Sequence, residues 1–160
     1  MILVENNFQR MMKIIDEVFA TGKDKNQIQV SEKDIKKLYK IHPRCLSEIA
    51  NENGPIIWLL VIPTNQKIMN DFLEKKITEK DILKFTNPGD SYDSIYLCSA
   101  STLPEFRGKD LTKNLCLEVI EEIKKTHPIK NLFVWPFTKA GKNLAENISV
   151  KSALILFSLN

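Results

Sequence analysis

The apolar run PIIWLLVIP at residues 55–63 constrains the fold of this chain more than any other segment. Apolar side chains fill both alternating sets of positions in the run, so a strand formed there is buried on both faces. Its two prolines stand at the ends, where a central strand tolerates the missing N–H group. The run therefore predicts a central strand in a sheet that is covered on both sides.

Hydrophobic spacing and turn residues divide the rest of the chain into further elements. Apolar residues at three- and four-residue spacing predict helices, and short apolar or alternating runs predict strands. The predicted helices cover residues 5–20, 31–42, 65–75, 79–86, 108–126 and 138–147. The predicted strands cover residues 27–30, 45–50, 55–63, 94–103, 132–135 and 153–159. Asn53-Gly54 is a hairpin turn between the predicted strands at 45–50 and 55–63. A second turn, at residues 87–90, separates the predicted helix at 79–86 from the strand at 94–103.

The composition indicates one globular domain. Of the 160 residues, 43% are hydrophobic and 27% are charged, which suits a single well-cored domain and excludes disorder and low-complexity architectures. Lysine and arginine number 23 against 20 acidic residues, for a net charge of +3. So small an excess does not suggest a dedicated nucleic-acid binder. We predict a single α/β (α+β) domain over residues 1–160.

Cysteine usage and the sequence at the N-terminus favour a cytoplasmic protein. Cys45, Cys98 and Cys116 are widely spaced and odd in number, which predicts reduced, buried thiols rather than a disulfide framework. No apolar run approaches the roughly 20 residues that cross a bilayer. The apolar start of the chain is too short for a signal-peptide core. We expect a soluble protein with neither membrane nor nucleic acid among its partners.

Several common site motifs do not occur in the sequence. Gly-x-Ser-x-Gly, Gly-x-Gly-x-x-Gly and Gly-Lys-Ser/Thr are all missing, which argues against the hydrolases and nucleotide-binding enzymes that use them. His42 and Cys45 resemble half of a metal site, but no second pair follows and His127 stands alone. We therefore predict no metal.

The segment STLPEFRGKDLTKNLCLEVIEEI, residues 101–123, carries the clearest functional signal. A strand breaks at Pro104, turns through Arg107, Gly108 and Lys109, and opens into a long helix. Free N–H groups and the positive dipole end at a helix N-terminus suit an anion such as pyrophosphate. The glycine lets the backbone approach closely, and the flanking cations add charge. The alternative interpretation is a solvated surface turn, the commonest role of such a tripeptide.

This strand–turn–helix segment resembles the acyl-CoA-binding motif of the GNAT superfamily, the acyl-CoA-dependent N-acyltransferases. The family pattern is a strand, often Pro-Glu-aromatic, then Arg/Gln-x-x-Gly-x-Gly/Ala and a helix. In this chain, PEF at 104–106 precedes RGKDLT at 107–112. The order of predicted elements from about residue 27 to the C-terminus is also similar. The resemblance implies a GNAT-like fold, with a mixed, mostly antiparallel central sheet flanked by helices and a helical insertion at about 64–92.

The resemblance also implies an N-acetyltransferase that transfers an acetyl group from acetyl-CoA to an amine of a small molecule or protein. In such an enzyme the backbone of residues 101–103 pairs with the pantetheine arm, the amides of residues 107–112 hold the pyrophosphate, and the amine attacks the thioester directly. The implied cofactor-binding residues are Ser101, Thr102, Leu103, Arg107, Gly108, Lys109, Asp110, Leu111, Thr112 and Thr138. The acceptor, the acyl chain and the oligomeric state, a dimer included, stay open.

Departures from the family pattern support a second interpretation. Asp110 stands where the family has its first glycine, so its carboxylate must point outward or pair with Lys109 or Lys113 if the loop binds pyrophosphate. Ala145 occupies the position of the tyrosine that usually protonates the departing thiolate, and Glu105 is not favoured as the base. We therefore assign no catalytic residue. The alternative function is a catalytically degenerate GNAT-fold module that binds acyl-CoA or a protein partner without turnover.

Overall fold

The computed structural model describes residues 5–19 and 30–159, and within them lie six α-helices and a five-stranded sheet. The helices are α1 (Asn7–Phe19), α2 (Glu32–Ile41), α3 (Gln66–Leu73), α4 (Glu79–Phe85), α5 (Leu111–Lys124) and α6 (Lys139–Ser152). The strands are β1 (Leu46–Asn51), β2 (Gly54–Thr64), β3 (Ser94–Thr102), β4 (Asn131–Val134) and β5 (Ile155–Ser158). The strand predicted at 27–30 falls outside the described residues, except for Val30, which lies in no strand.

The strands lie in the sheet in chain order, β1-β2-β3-β4-β5. β2 pairs antiparallel with β1 and β3, whereas β4 runs parallel to β3 and β5. The mixed sheet is confirmed, but "mostly antiparallel" describes its N-terminal half alone. The reason is the connections: α5 and α6 each carry the chain back to the starting end of the sheet, as parallel neighbours require.

The central strand β2 is buried along almost its whole length, as the apolar run predicted. The predicted hairpin turn joins it to β1, and Gly54 has a φ of +113° that most side chains disfavour. The Asn7 amide donates to the Asn51 side-chain oxygen at 3.0 Å and to the Gly54 carbonyl at 3.3 Å. These bonds fix the start of α1 on the hairpin.

Helices cover both faces of the sheet. On one face, the ring of Phe8 in α1 packs edge-on against Trp58, with centroids 5.6 Å apart. On the other, Thr112 of α5 shares a 2.5 Å hydrogen bond with Thr102. Thr102 lies opposite Ile57 in the register, so these two side chains share one face of the sheet. Trp58 follows Ile57 in β2 and therefore points to the other face, because residues adjacent in a strand alternate. The helices α1 and α5 thus lie on opposite faces.

Residues 64–92 contribute directly to the core. Phe72 of α3 packs against Tyr96 and Phe133, with ring centroids 5.3 and 5.9 Å apart. At the ends of the segment, the hydroxyls of Thr64 and Thr86 lie 2.7 Å apart in a buried hydrogen bond. These contacts show that the segment extends the core.

Two predicted helix boundaries are wrong. α5 begins at Leu111 rather than 108, because Gly108 and Asp110 adopt positive φ values of 74° and 60° that no α-helix contains. α6 runs to Ser152 rather than 147, because Ile148 is buried against the core at 2% exposure. Packing of that residue outweighs the weak helix propensity of the serine and valine that follow it. Among the helices of the described residues, none combines the length and apolar character needed to cross a membrane.

Candidate functional site

A cleft opens where β3 and β4 separate. The parallel register joins Ser94–Leu97 to Asn131–Val134 and ends there, while β3 continues to Thr102. Cys98 is the extra residue of a bulge opposite Leu60 and Val61, and a bulge bends and twists its strand. The two strands splay beyond it, and the space between them is a cleft of about 510 Å³.

Most of the residues predicted to bind the cofactor line this cleft: Ser101, Thr102, Arg107, Gly108, Asp110, Leu111, Thr112 and Thr138. Leu103 and Lys109 do not. Leu103 is fully buried, and its N–H donates to the Ile56 carbonyl inside the sheet at 3.0 Å. Lys109 is exposed, with its Nζ 5.8 Å from the centre of the Phe106 ring.

The unpaired edge of β3 presents backbone groups to the cleft. The Leu103 N–H points towards β2. The backbone groups of successive residues in a strand point alternately to its two sides, so the N–H and C=O groups of Thr102 and Ala100 point towards the cleft. The Thr102 carbonyl accepts a hydrogen bond from Arg107 Nε at 2.9 Å. An extended ligand lying in the cleft would meet the same kind of edge that recruits an added strand.

The N-terminus of α5 faces the mouth of the cleft. Asp110 is the N-cap residue, but its side chain makes no capping hydrogen bond. Its carboxylate is 69% exposed and lies 3.3 Å from Lys113 Nζ. Asp110 therefore turns outward and pairs with Lys113, which satisfies the condition derived from the sequence. The Asp110 carboxylate therefore does not cap the first-turn N–H groups of α5. An anion can bind at a helix N-terminus only where such N–H groups are not already capped.

The opposite end of the cleft is apolar. We call this end the floor; its residues are Leu97, Cys98, Cys116, Val134, Ala145 and Ile148. All except Leu97 are buried. Burial raises the pKa of the Cys116 thiol to about 12 and that of Cys98 well above its ordinary value. Both thiols stay protonated at neutral pH, so the floor carries no charge and no thiolate nucleophile.

Glu105 lies outside the lining of the cleft. Both of its carboxylate oxygens accept hydrogen bonds from the Arg10 guanidinium at 2.7 Å. Chiefly because of these bonds, the pKa of Glu105 falls to about 2. A carboxylate with so low a pKa is a weak base at neutral pH. Glu105 is therefore a poor candidate for the base.

Sequence reasoning missed the wall formed by residues 135–137. Trp135 and Phe137 both line the cleft, with ring centroids 4.8 Å apart. The sequence held a usable signal: Pro136, between two aromatic residues directly after a strand, has no N–H with which to continue the pairing. Asn147 of α6 also lines the cleft and is exposed, and nothing in the sequence distinguished it from other surface asparagines.

The two histidines have structural roles. His42 Nδ1 accepts the Arg44 N–H at 3.0 Å, and His127 Nδ1 accepts the Tyr92 N–H at 3.3 Å. The two imidazole rings lie 6.2 Å apart. In the part of the chain that the structure describes, no three His, Cys, Asp or Glu residues gather into a group that could hold a metal ion.

Comparison with known proteins adds no relative: no family model matches this chain, and no curated protein matches it. The fold and site define a mixed α/β domain with a cleft between two parallel strands.

Proposed function

We propose that this protein is an acyl-CoA-dependent N-acyltransferase with a GNAT-like arrangement, which transfers an acetyl group from acetyl-CoA to an amine of a small molecule or protein. One observation carries the proposal. A single cleft combines, in linear order, a helix N-terminus open to an anion, an unpaired strand edge and an apolar floor. Pyrophosphate, pantetheine and acyl group follow one another in an acyl-CoA in that same order.

The mouth supplies the charge that the pyrophosphate requires. The first-turn amides of α5 would hold it, since the helix dipole adds to their N–H donors. Gly108, at a φ of +74°, has open space around it, because an added Cβ would meet no atom within 4 Å. Arg107 has five N–H donors, and its bond to Thr102 uses the one at Nε. The other donors suit a phosphate oxygen.

The reaction needs little from the side chains. The nitrogen of a neutral amine attacks the thioester carbonyl, the new C–N bond forms and the C–S bond breaks. CoA leaves as a thiolate, which is a tolerable leaving group that water can protonate. The amine proton passes to a base, often a carboxylate acting through water. Positioning of the two reactants then supplies most of the rate enhancement.

The second candidate function is a module that binds acyl-CoA, or a protein partner, without turnover. Ala145 favours it, because this residue is buried at the floor, where the resembling family places a proton-donating tyrosine. The two floor thiols are held in their protonated form and offer no base.

A thermal-shift titration with acetyl-CoA, CoA and ATP tests the proposal. At a ligand concentration about 100 times the Kd, binding adds about 2.7 kcal/mol to the free energy of unfolding. For a domain of this size, we expect a Tm rise of about 5–10 °C with both CoA species. Arg107→Ala should weaken binding roughly tenfold or more, because it removes a charge-assisted hydrogen bond. Lys130→Ala is the matched control, since it removes one positive charge outside the cleft.

The outcomes separate the two functions. If millimolar CoA and acetyl-CoA leave the Tm unchanged, the cleft is not an acyl-CoA site and the proposal is wrong. If both bind, a screen of amine acceptors that follows release of free CoA thiol decides between the candidates. Turnover supports the enzyme; tight binding with no turnover on any amine class supports the module.

A further inference from the structure

Resting on the proposed function, we propose that the floor of the cleft accepts an acyl chain longer than acetyl. The preferred donor is then an acyl-CoA whose saturated chain is longer than the two carbons of acetyl. The inference concerns the floor residues, which the binding of pyrophosphate and pantetheine does not use.

The direction of the ligand places its acyl group at the floor. The anion-binding turn lies at one end of the unpaired stretch of β3, and the pairing of Leu97 with Val134 closes the other end. Exposure decreases along the same direction: Gly108 and Thr138 are exposed, whereas Cys116 and Ile148 are buried at 1% and 2%. The thioester of an acyl-CoA lies beyond the pantetheine, so its chain points into the buried end.

The chemistry of the floor suits a hydrocarbon. Its side chains are aliphatic groups and two protonated thiols, and a thiol in such surroundings behaves as a small hydrophobic group. The charged residues that line the cleft, Arg107, Asp110 and Lys113, all belong to the turn and first helical turn at its mouth. A chain placed on the floor therefore leaves water without displacing a buried charge.

Ala145 leaves room for that chain. It is buried at 3% exposure and lines the cleft with a single methyl group, on the face of α6 that also carries Ile148. A long side chain at this position would fill the end of the cleft from the helix. Because Ala145 contributes only a methyl group to the lining, we assign it as the residue that sets the length of chain accepted.

Calorimetric titration of the whole protein with CoA and its acetyl, butanoyl, hexanoyl and octanoyl thioesters, without any acceptor, tests the inference. Each buried methylene should tighten binding about fourfold, so hexanoyl-CoA should bind at least tenfold more tightly than acetyl-CoA. Ala145→Leu should abolish this gain and leave the Kd of CoA itself unchanged. Asn143→Leu is the matched control, because it places the same side chain at an exposed position of α6 outside the cleft.

A second variant covers the case in which Ala145→Leu does not fold. Ile148→Val removes one methylene from the floor and should move the best chain towards greater length. The inference is wrong if CoA and acetyl-CoA bind but the longer thioesters bind no more tightly; the proposed function then still stands. An unchanged chain-length profile in Ile148→Val would also overturn it. Failure of every CoA species to bind would contradict the proposed function itself.

Discussion

The two halves of β3 differ in what lies on their second edge. Residues 94–97 pair with β2 on one side and β4 on the other, and Tyr96 lies fully buried between Phe72 and Phe133. Residues 99–102 pair with β2 on one side, and together with the bulged Cys98 they border the cleft on the other. We call these the closed half and the open half. One continuous strand therefore contributes to the core at one end and to the candidate site at the other.

The residues that end the pairing explain the difference. Cys98 adds a bulge to β3 just where its pairing with β4 stops. On the facing strand, Pro136 follows two residues after Val134 and has no N–H to donate to a neighbour. The open half thus arises from local interruptions of β-pairing, and the site needs no unusual ionisable residue to form.

The largest expected effect is in the core that packs against the closed half. Phe72→Ala removes a ring that packs against Tyr96, Phe133 and Trp135, and we expect a loss of about 3–5 kcal/mol in the free energy of unfolding. Phe137→Ala, in the wall of the open half, truncates a side chain that is 39% exposed and should cost about 1 kcal/mol or less. Urea denaturation of both variants measures the contrast. Equal losses would mean that the two halves share one core and that the comparison is wrong.

A middle-sized effect is expected at the mouth of the open half. Asp110 has a φ of +60°, which aspartate tolerates better than alanine and which glycine adopts freely. Asp110→Ala should lower the free energy of unfolding by about 1 kcal/mol, whereas Asp110→Asn and Asp110→Gly should change it little. Thermal denaturation of the three variants provides the measurement.

The same variants test the electrostatics of the mouth. Asp110→Asn and Asp110→Gly both remove a negative charge beside the proposed anion site, so both should bind CoA more tightly than the parent chain, in a manner that weakens with added salt. A loss of CoA affinity in Asp110→Asn would show instead that the carboxylate, or its pair with Lys113, organises the turn.

Most of the fold could be predicted because its signals are local. The burial of β2, the Asn53-Gly54 hairpin and the start of α2 each depend on residues that lie next to one another in the sequence. Ser31, for example, accepts the Asp34 N–H and forms a complete capping box. Elements defined by such contacts were found within a few residues of their true bounds.

The features that could not be predicted depend on contacts between distant residues. The last turn of α6 forms because Ile148 is buried in the core. No local sequence pattern predicts this burial. The floor brings together residues from β3, β4, α5 and α6, which are spread along the sequence from Leu97 to Ile148. Their proximity is therefore visible only in the folded structure. Asp110 is an intermediate case. The sequence predicted that its carboxylate must point outward or pair with a lysine, but it did not predict the left-handed backbone conformation.

The smallest expected effect is a pH dependence at the base of the closed half, where His127 contacts Tyr92 just before β3. Burial lowers the pKa of both His42 and His127 below the ordinary value of 6.5, and the nearby His127 imidazole lowers the pKa of His42 further. Both Nδ1 atoms accept backbone N–H groups, a role that protonation removes.

The sign of the effect follows from these shifts. Because the folded-state pKa values lie below 6.5, the unfolded chain binds more protons in the region just below that pH. The stability contributed by the neutral imidazoles is complete above about pH 7.5 and declines as the pH falls through 6.5 towards the folded-state values. Urea denaturation between pH 7.5 and 5.5, above the range of ordinary carboxylates, should therefore show a falling free energy of unfolding. The double variant His42→Gln with His127→Gln keeps an acceptor at each position but cannot titrate, so most of the decline should disappear. Arg107→Ala, in the turn at the mouth of the cleft, should retain the decline. An equal decline in the double variant would show that the titrating groups are not these two histidines.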